Sequence, residues 1–197
     1  MKKLLSWLCI IGGFFWGVKP IYDALFNGKR WGQGYEPQDL TDYISFIFPL
    51  LCIGGLIASY SLYKKEVRNS IMILILSAVL SGLFSFSEIY LYGSDLPFGL
   101  IFMLTGTMCM MIGSIYLFIQ LKKVRSSTLF LSSTAIALFL DNFLLIALSI
   151  LSDVLVLPEE ISTPILVILF VSIGFIWSVF GFAILRLAKL DTINIQK

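Results

Sequence analysis

The chain has 197 residues, a formal net charge of +2, 58% hydrophobic and 13% charged residues, and a mean hydropathy of +0.95. A soluble domain carries roughly 45–50% apolar and about 25% charged residues. This balance excludes an ordinary soluble fold and points to a polytopic membrane protein. Near-neutral charge gives no reason to expect nucleic acid as a partner, and the absence of histidine removes the commonest metal ligand, general base and pH switch.

A helix needs about 20 apolar residues to cross the hydrocarbon core. Six stretches meet that length: 4–26, 40–63, 70–92, 97–121, 128–152 and 163–188. The alternating ~10-residue segments of an outer-membrane barrel are absent. The expected fold is therefore all-α, a bundle of six transmembrane helices. The hydrophilic segments are too short to fold alone, so 1–197 is read as one domain.

The first span follows Met1-Lys2-Lys3, as the apolar part of a signal peptide would. No small-x-small cleavage pattern comes after it, so it reads as an uncleaved span. Gly13 and Gly17 give it a close-packing face. Pro20 cannot donate a backbone hydrogen bond and crowds the carbonyl of Trp16, which predicts a kink or break near Lys19. Lys19 and Asp23 lie four residues apart and can pair along one face. Two other fates compete for Lys19: reaching across the bundle to Glu88 or Asp141, or snorkelling to the interface from a span that ends early. The loop at 27–38 carries Gly28, Gly32 and Gly34 with Lys29, Arg30, Trp31 and Tyr35. It reads either as a lid over an outward cavity, with Trp31 and Tyr35 inserted, or as an ordinary interfacial loop.

In the second span, Pro49 and the pair Gly54-Gly55 make the helix bendable. The third holds the clearest polar stripe: Ser77, Ser81, Ser85, Glu88 and Tyr92 fall within about 80° of one face at 100° per residue. It serves either as a polar wall or as a tight helix contact that small residues permit. Gly106 and Gly113 in span four, and Gly174 and Gly181 in span six, recur every seven residues and mark close-packing faces. Span five places Thr134, Asp141 and Ser152 on one face with Asn142 beside it. Asp141 is either a ligand-binding carboxylate or half of a structural pair. Cys9, Cys52 and Cys109 stand singly in apolar runs with no CxxC spacing, which suits packing rather than redox chemistry.

Connections set an expected orientation. Lys2, Lys3, Lys64, Lys65, Arg68, Lys122, Lys123, Arg125, Arg186, Lys189 and Lys197, eleven of the 14 basic residues, fall on one side of the six-span arrangement. By the positive-inside rule both termini are expected in the cytoplasm and the protein in the cell membrane. At ~1.5 Å per residue from the outer span ends, Glu88 then lies about 6 Å deep, Lys19 about 10 Å and Asp141 about 16 Å, with Asp23 at the rim. A charge at the centre of a span costs roughly 2.5–3.5 kcal/mol on insertion scales. These residues are therefore the candidates for a site: Lys19, Asp23, Glu88, Asp141 and Asn142, with Ser85 and Tyr92 beside them.

No Walker A, GxSxG, HExxH or GxGxxG motif occurs, so no catalytic residue, metal site or cofactor is expected. Two functional expectations follow. The first is a small non-catalytic membrane protein that serves as a regulatory, assembly or immunity-type partner of another membrane protein. The alternative is a small solute-binding or transport protein whose outward-facing polar site lies between spans one, three and five. In size and topology alone the arrangement is similar to the substrate-binding subunits of energy-coupling-factor vitamin transporters. No motif carries that likeness, so it assigns no residue a role.

Overall fold

In hydrocarbon no water is available to pair with exposed peptide groups, so each spanning segment must satisfy its backbone internally. The chain does this with helices. A computed structural model describes residues 1–27, 40–91, 98–124, 129–155 and 159–195. The helices are α1 (Lys2–Tyr22), α2 (Leu40–Ile44), α3 (Ile47–Tyr63), α4 (Arg68–Tyr90), α5 (Phe98–Lys122), α6 (Leu129–Leu155) and α7 (Glu159–Ile195), and no strand occurs among the described residues. Six segments are long and apolar enough to cross a membrane, from Lys2–Leu25 to Pro164–Lys189, and they coincide with the six expected spans to within a few residues.

Two of the departures from regular helix fall beside prolines. The helix α1 runs through Pro20 and widens into a π turn at Asp23–Asn27, where the Asp23 N–H is shared between the carbonyls of Lys19 and Pro20. The irregularity thus falls just beyond Pro20 rather than at Lys19. Span two is interrupted at Ser45-Phe46, between α2 and α3. Pro49 has no N–H to give the Ser45 carbonyl four residues earlier, and that carbonyl accepts from Phe48 N–H instead, at 3.2 Å. The Ser45 N–H and Oγ both donate to the Asp42 carbonyl, at 3.1 and 2.9 Å, which closes the end of α2.

Packing follows chain order around a ring. The helix α1 lies between α3 and α7, and the remaining principal contacts are α3 with α4, α4 with α5, α5 with α6, and α6 with α7. Spans one, three and five are therefore each flanked by even-numbered neighbours. The ring interior holds Trp177, Phe180, Leu56, Leu74, Leu117 and Leu131, all fully or nearly fully buried. Large apolar side chains such as Met72, Ile112, Leu144 and Ile168 lie exposed on the outside, as a lipid-facing surface requires.

Glycine sets how closely α1 approaches both neighbours. A Cβ at Gly13 would lie 2.5 Å from the Ser178 nitrogen and 2.6 Å from the Gly174 carbonyl oxygen on α7. Opposite, a Cβ at Gly54 of α3 would lie 2.6 Å from the Leu5 carbonyl oxygen of α1. The packing faces expected of Gly13, Gly17, Gly174 and Gly181 all fall on the α1–α7 contact. On the other side of the ring, Gly106 and Gly113 of α5 receive Leu80, Ser81 and Leu74 of α4. Added atoms at such contacts cost about 1–3 kcal/mol through overpacking. Gly174→Ala is expected to lower the thermal midpoint in mild detergent by roughly 5 °C. The lipid-facing Thr105→Ala should leave the midpoint nearly unchanged, and an unchanged midpoint for Gly174→Ala would refute this close contact.

Candidate functional site

At the end of α1, where the π turn begins, Lys19 meets two carboxylates. Its Nζ lies 2.5 and 2.6 Å from the two Asp23 oxygens and 2.6 Å from Asp42 Oδ1. All three residues are buried, Asp42 completely. The pairing of Lys19 with Asp23 is the one that their spacing of four allows. Asp42 is the member that sequence reasoning missed. It stands third in span two, close to a loop, where an acidic residue looks unremarkable. Its signal was positional, because the start of span two must return beside the end of span one in a helical hairpin. Ser45, the turn before Pro49 and the short α2 fix it there.

The arrangement has a physical logic. One ammonium facing two carboxylates satisfies three ionised groups that would each be expensive alone in a low-dielectric setting. Both aspartates have further interactions besides this one. An aromatic cluster adjoins the trio. Tyr43 and Phe46 pack on Tyr90, which stacks on Phe86 at 4.6 Å between ring centroids. Trp31 and Tyr35, the residues of the expected lid, lie outside the described residues, as does Tyr92.

The other candidates lie elsewhere. Lys19 pairs with neither Glu88 nor Asp141; its partners are Asp23 and Asp42. Glu88 is exposed on α4 with its Oε1 against Gly99 of α5. The serine stripe below it is largely a helix contact: buried Ser77 donates to the Gly106 carbonyl at 2.8 Å, Ser81 sits beside Gly106, and Ser85 is half-buried. The candidates thus divide among three places in the ring rather than lining one chamber between spans one, three and five.

Asp141 occupies the third place. It is only 7% exposed, and Ser172 Oγ of α7 donates to its Oδ1. Its Oδ2 is buried with no hydrogen-bond partner. The adjacent Asn142 is satisfied, donating to the Leu138 carbonyl at 2.8 Å and reaching Met110 Sδ at 3.2 Å. Ser152 lies in α6, and its side chain is outside the described set. Cys9, Cys52 and Cys109 are free thiols, the first two buried, and Cys9 Sγ donates to the Trp177 carbonyl at 3.3 Å. Among the described residues no three His, Cys, Asp or Glu side chains are grouped to hold a metal ion.

No protein-family model, curated protein or solved structure matches the chain.

The contrast between Asp42 and Glu88 is testable. Asp42→Asn weakens a fully buried ion pair and is expected to cost about 2–4 kcal/mol in reversible unfolding from detergent micelles. Glu88→Gln alters an exposed carboxylate and should stay within about 0.5 kcal/mol of the parent. Equal effects would mean that the two carboxylates share a similar environment.

Proposed function

We propose that the chain is a small, non-catalytic, multi-pass membrane protein that acts as a regulatory, assembly or immunity-type partner of another membrane protein. The observation that carries this reading is the internal closure of the charged trio. Lys19, Asp23 and Asp42 neutralise one another, and Ser77 of α4 donates its hydroxyl to the Gly106 carbonyl of α5. Side chains so engaged hold helices together and leave little for a solute to bind. A transport role would need those groups to face an aqueous path. What the bundle offers outward is apolar helix surface, which suits lateral association in the bilayer.

The same reading places the protein in the cell membrane with both termini in the cytoplasm, supported by the one-sided distribution of Lys and Arg. An epitope tag appended to the C-terminus is then expected to resist external protease in intact cells and to be cleaved once the membrane is permeabilised. Cleavage in intact cells would reverse the orientation. For the partner role, the expected outcome is stoichiometric co-purification of another membrane protein in mild detergent. Recovery of the chain alone, at every detergent and expression level tried, would count against it.

A further inference from the structure

Asp141 sits near the middle of α6, about 20 Å from either end of the helix at ~1.5 Å per residue. It is buried, and its hydrogen bonding reduces to one neighbour, the Ser172 hydroxyl of α7. Its Oδ2 has no protein partner. Asn142, next in the chain, directs its amide to the Leu138 carbonyl and Met110 Sδ instead.

Among the described residues no cation is placed to neutralise this carboxyl group. The helix α6 packs against α5 and α7. Between Glu160 and Arg186, α7 carries no ionisable residue, and Arg186 lies about 21 Å along the axis from Ser172. On α5 the ionisable residues are Cys109, Tyr116 and Lys122. Cys109 adjoins Met110, at the level of Asn142, and bears no positive charge. Tyr116 is exposed, and Lys122 is about 18 Å along the axis from Met110. On α6 itself the other ionisable residue is Asp153, an acid. Lys19 of α1 is held by Asp23 and Asp42.

A carboxylate isolated in this way takes up a proton rather than keep its charge away from water. The local hydrogen bonds have a place for that proton. The Ser172 hydroxyl lies against two acceptors at once, Asp141 Oδ1 and the Leu169 carbonyl at 2.9 Å, and has a single hydrogen to give. With Asp141 ionised, one acceptor goes without it and a full charge rests on one neutral donor. With Asp141 protonated, the sense of the first bond reverses. Asp141 Oδ1–H donates to Ser172 Oγ, and Ser172 donates to the Leu169 carbonyl. Each hydrogen is then used once, and the oxygen left over, Oδ2, is an uncharged carbonyl.

We infer that Asp141 is a proton-binding site: at neutral pH it is a carboxylic acid whose proton lies between Oδ1 and Ser172 Oγ and ties α6 to α7. Loss of that proton puts an unpaired charge on the α6–α7 contact, so the seam between these helices answers to the protonation of one residue. The inference goes beyond the partner reading and does not depend on it.

The test is infrared difference spectroscopy on the full chain in lipid vesicles at pH 7. Parent minus Asp141→Asn is expected to show a carboxylic-acid C=O stretch and no carboxylate stretch. Ser172→Ala takes away the acceptor and is expected to move that acid band to higher frequency, whereas a serine that merely packs would leave it in place. Asparagine keeps an N–H donor where the acid has O–H. Asp141→Asn is therefore expected to hold the thermal midpoint within about 2 °C of the parent's in mild detergent. A carboxylate band in the difference spectrum, or an acid band that Ser172→Ala leaves unmoved, overturns the inference. So does a midpoint that Asp141→Asn lowers as far as Asp42→Asn does. If Asp141→Asn does not fold, the comparison of the parent with Ser172→Ala decides alone: a shifted acid band supports the inference and an unshifted spectrum overturns it.

Discussion

Hydrocarbon supplies no hydrogen-bond partner, and that constraint governs every polar atom in this bundle. It requires helices of membrane-spanning length. It accounts for hydroxyls turned onto carbonyls, either in the same helix, as Thr105 does to Ile101, or across to a neighbour, as Ser178 does to Ile10. It also forces Lys19 to meet its counter-charges inside the protein. Where Pro20 and Pro49 remove donors, the chain widens into a π turn or opens a break, and the charged trio gathers around those two irregular points. The irregular backbone and the buried charges are thus one local solution at the hairpin of spans one and two.

Glycine supplies the second half of the account. With lipid on the outside, no hydrophobic force drives one helix against another, so close contact and interhelical hydrogen bonds must do so. The helix α1 is flanked by glycine contacts on both sides, to α3 through Gly12 and Gly54 and to α7 through Gly13, Gly17, Gly174 and Gly181. These let backbones approach until carbonyls meet the opposing helix. Asp141 stands apart from this economy of satisfied groups. Its second oxygen is one of few buried side-chain atoms without a partner among the described residues, alongside those of Ser59, Ser114 and Trp177. Only Asp141 carries full charge when ionised.

Much of this was legible in the sequence. Apolar run length located all six spans, because span length is fixed by bilayer thickness. The seven-residue glycine spacings and the Lys19–Asp23 interval gave faces and a pair, because helical periodicity is local. What periodicity cannot give is the rotation of each helix about its own axis relative to the others. For that reason Glu88, Asp141 and Lys19, all expected to line one site, end up on different contacts of the ring. Asp42 escaped notice because its burial depends on how α2 folds back beside α1, a tertiary fact. The position of the break in span two depended on which carbonyl Pro49 deprives, and the general bendability of the segment did not single out Ser45.

The central claim is that Lys19, Asp23 and Asp42 serve one another. The most direct measurement is a double-mutant cycle on Lys19→Met and Asp42→Asn, read as unfolding free energy in detergent micelles. A closed, buried pair predicts a coupling of at least about 1.5 kcal/mol, with the double variant more stable than the two single losses would sum to. Additive losses, with coupling below about 0.3 kcal/mol, would mean that Lys19 and Asp42 do not depend on each other and that the trio is free to bind something else.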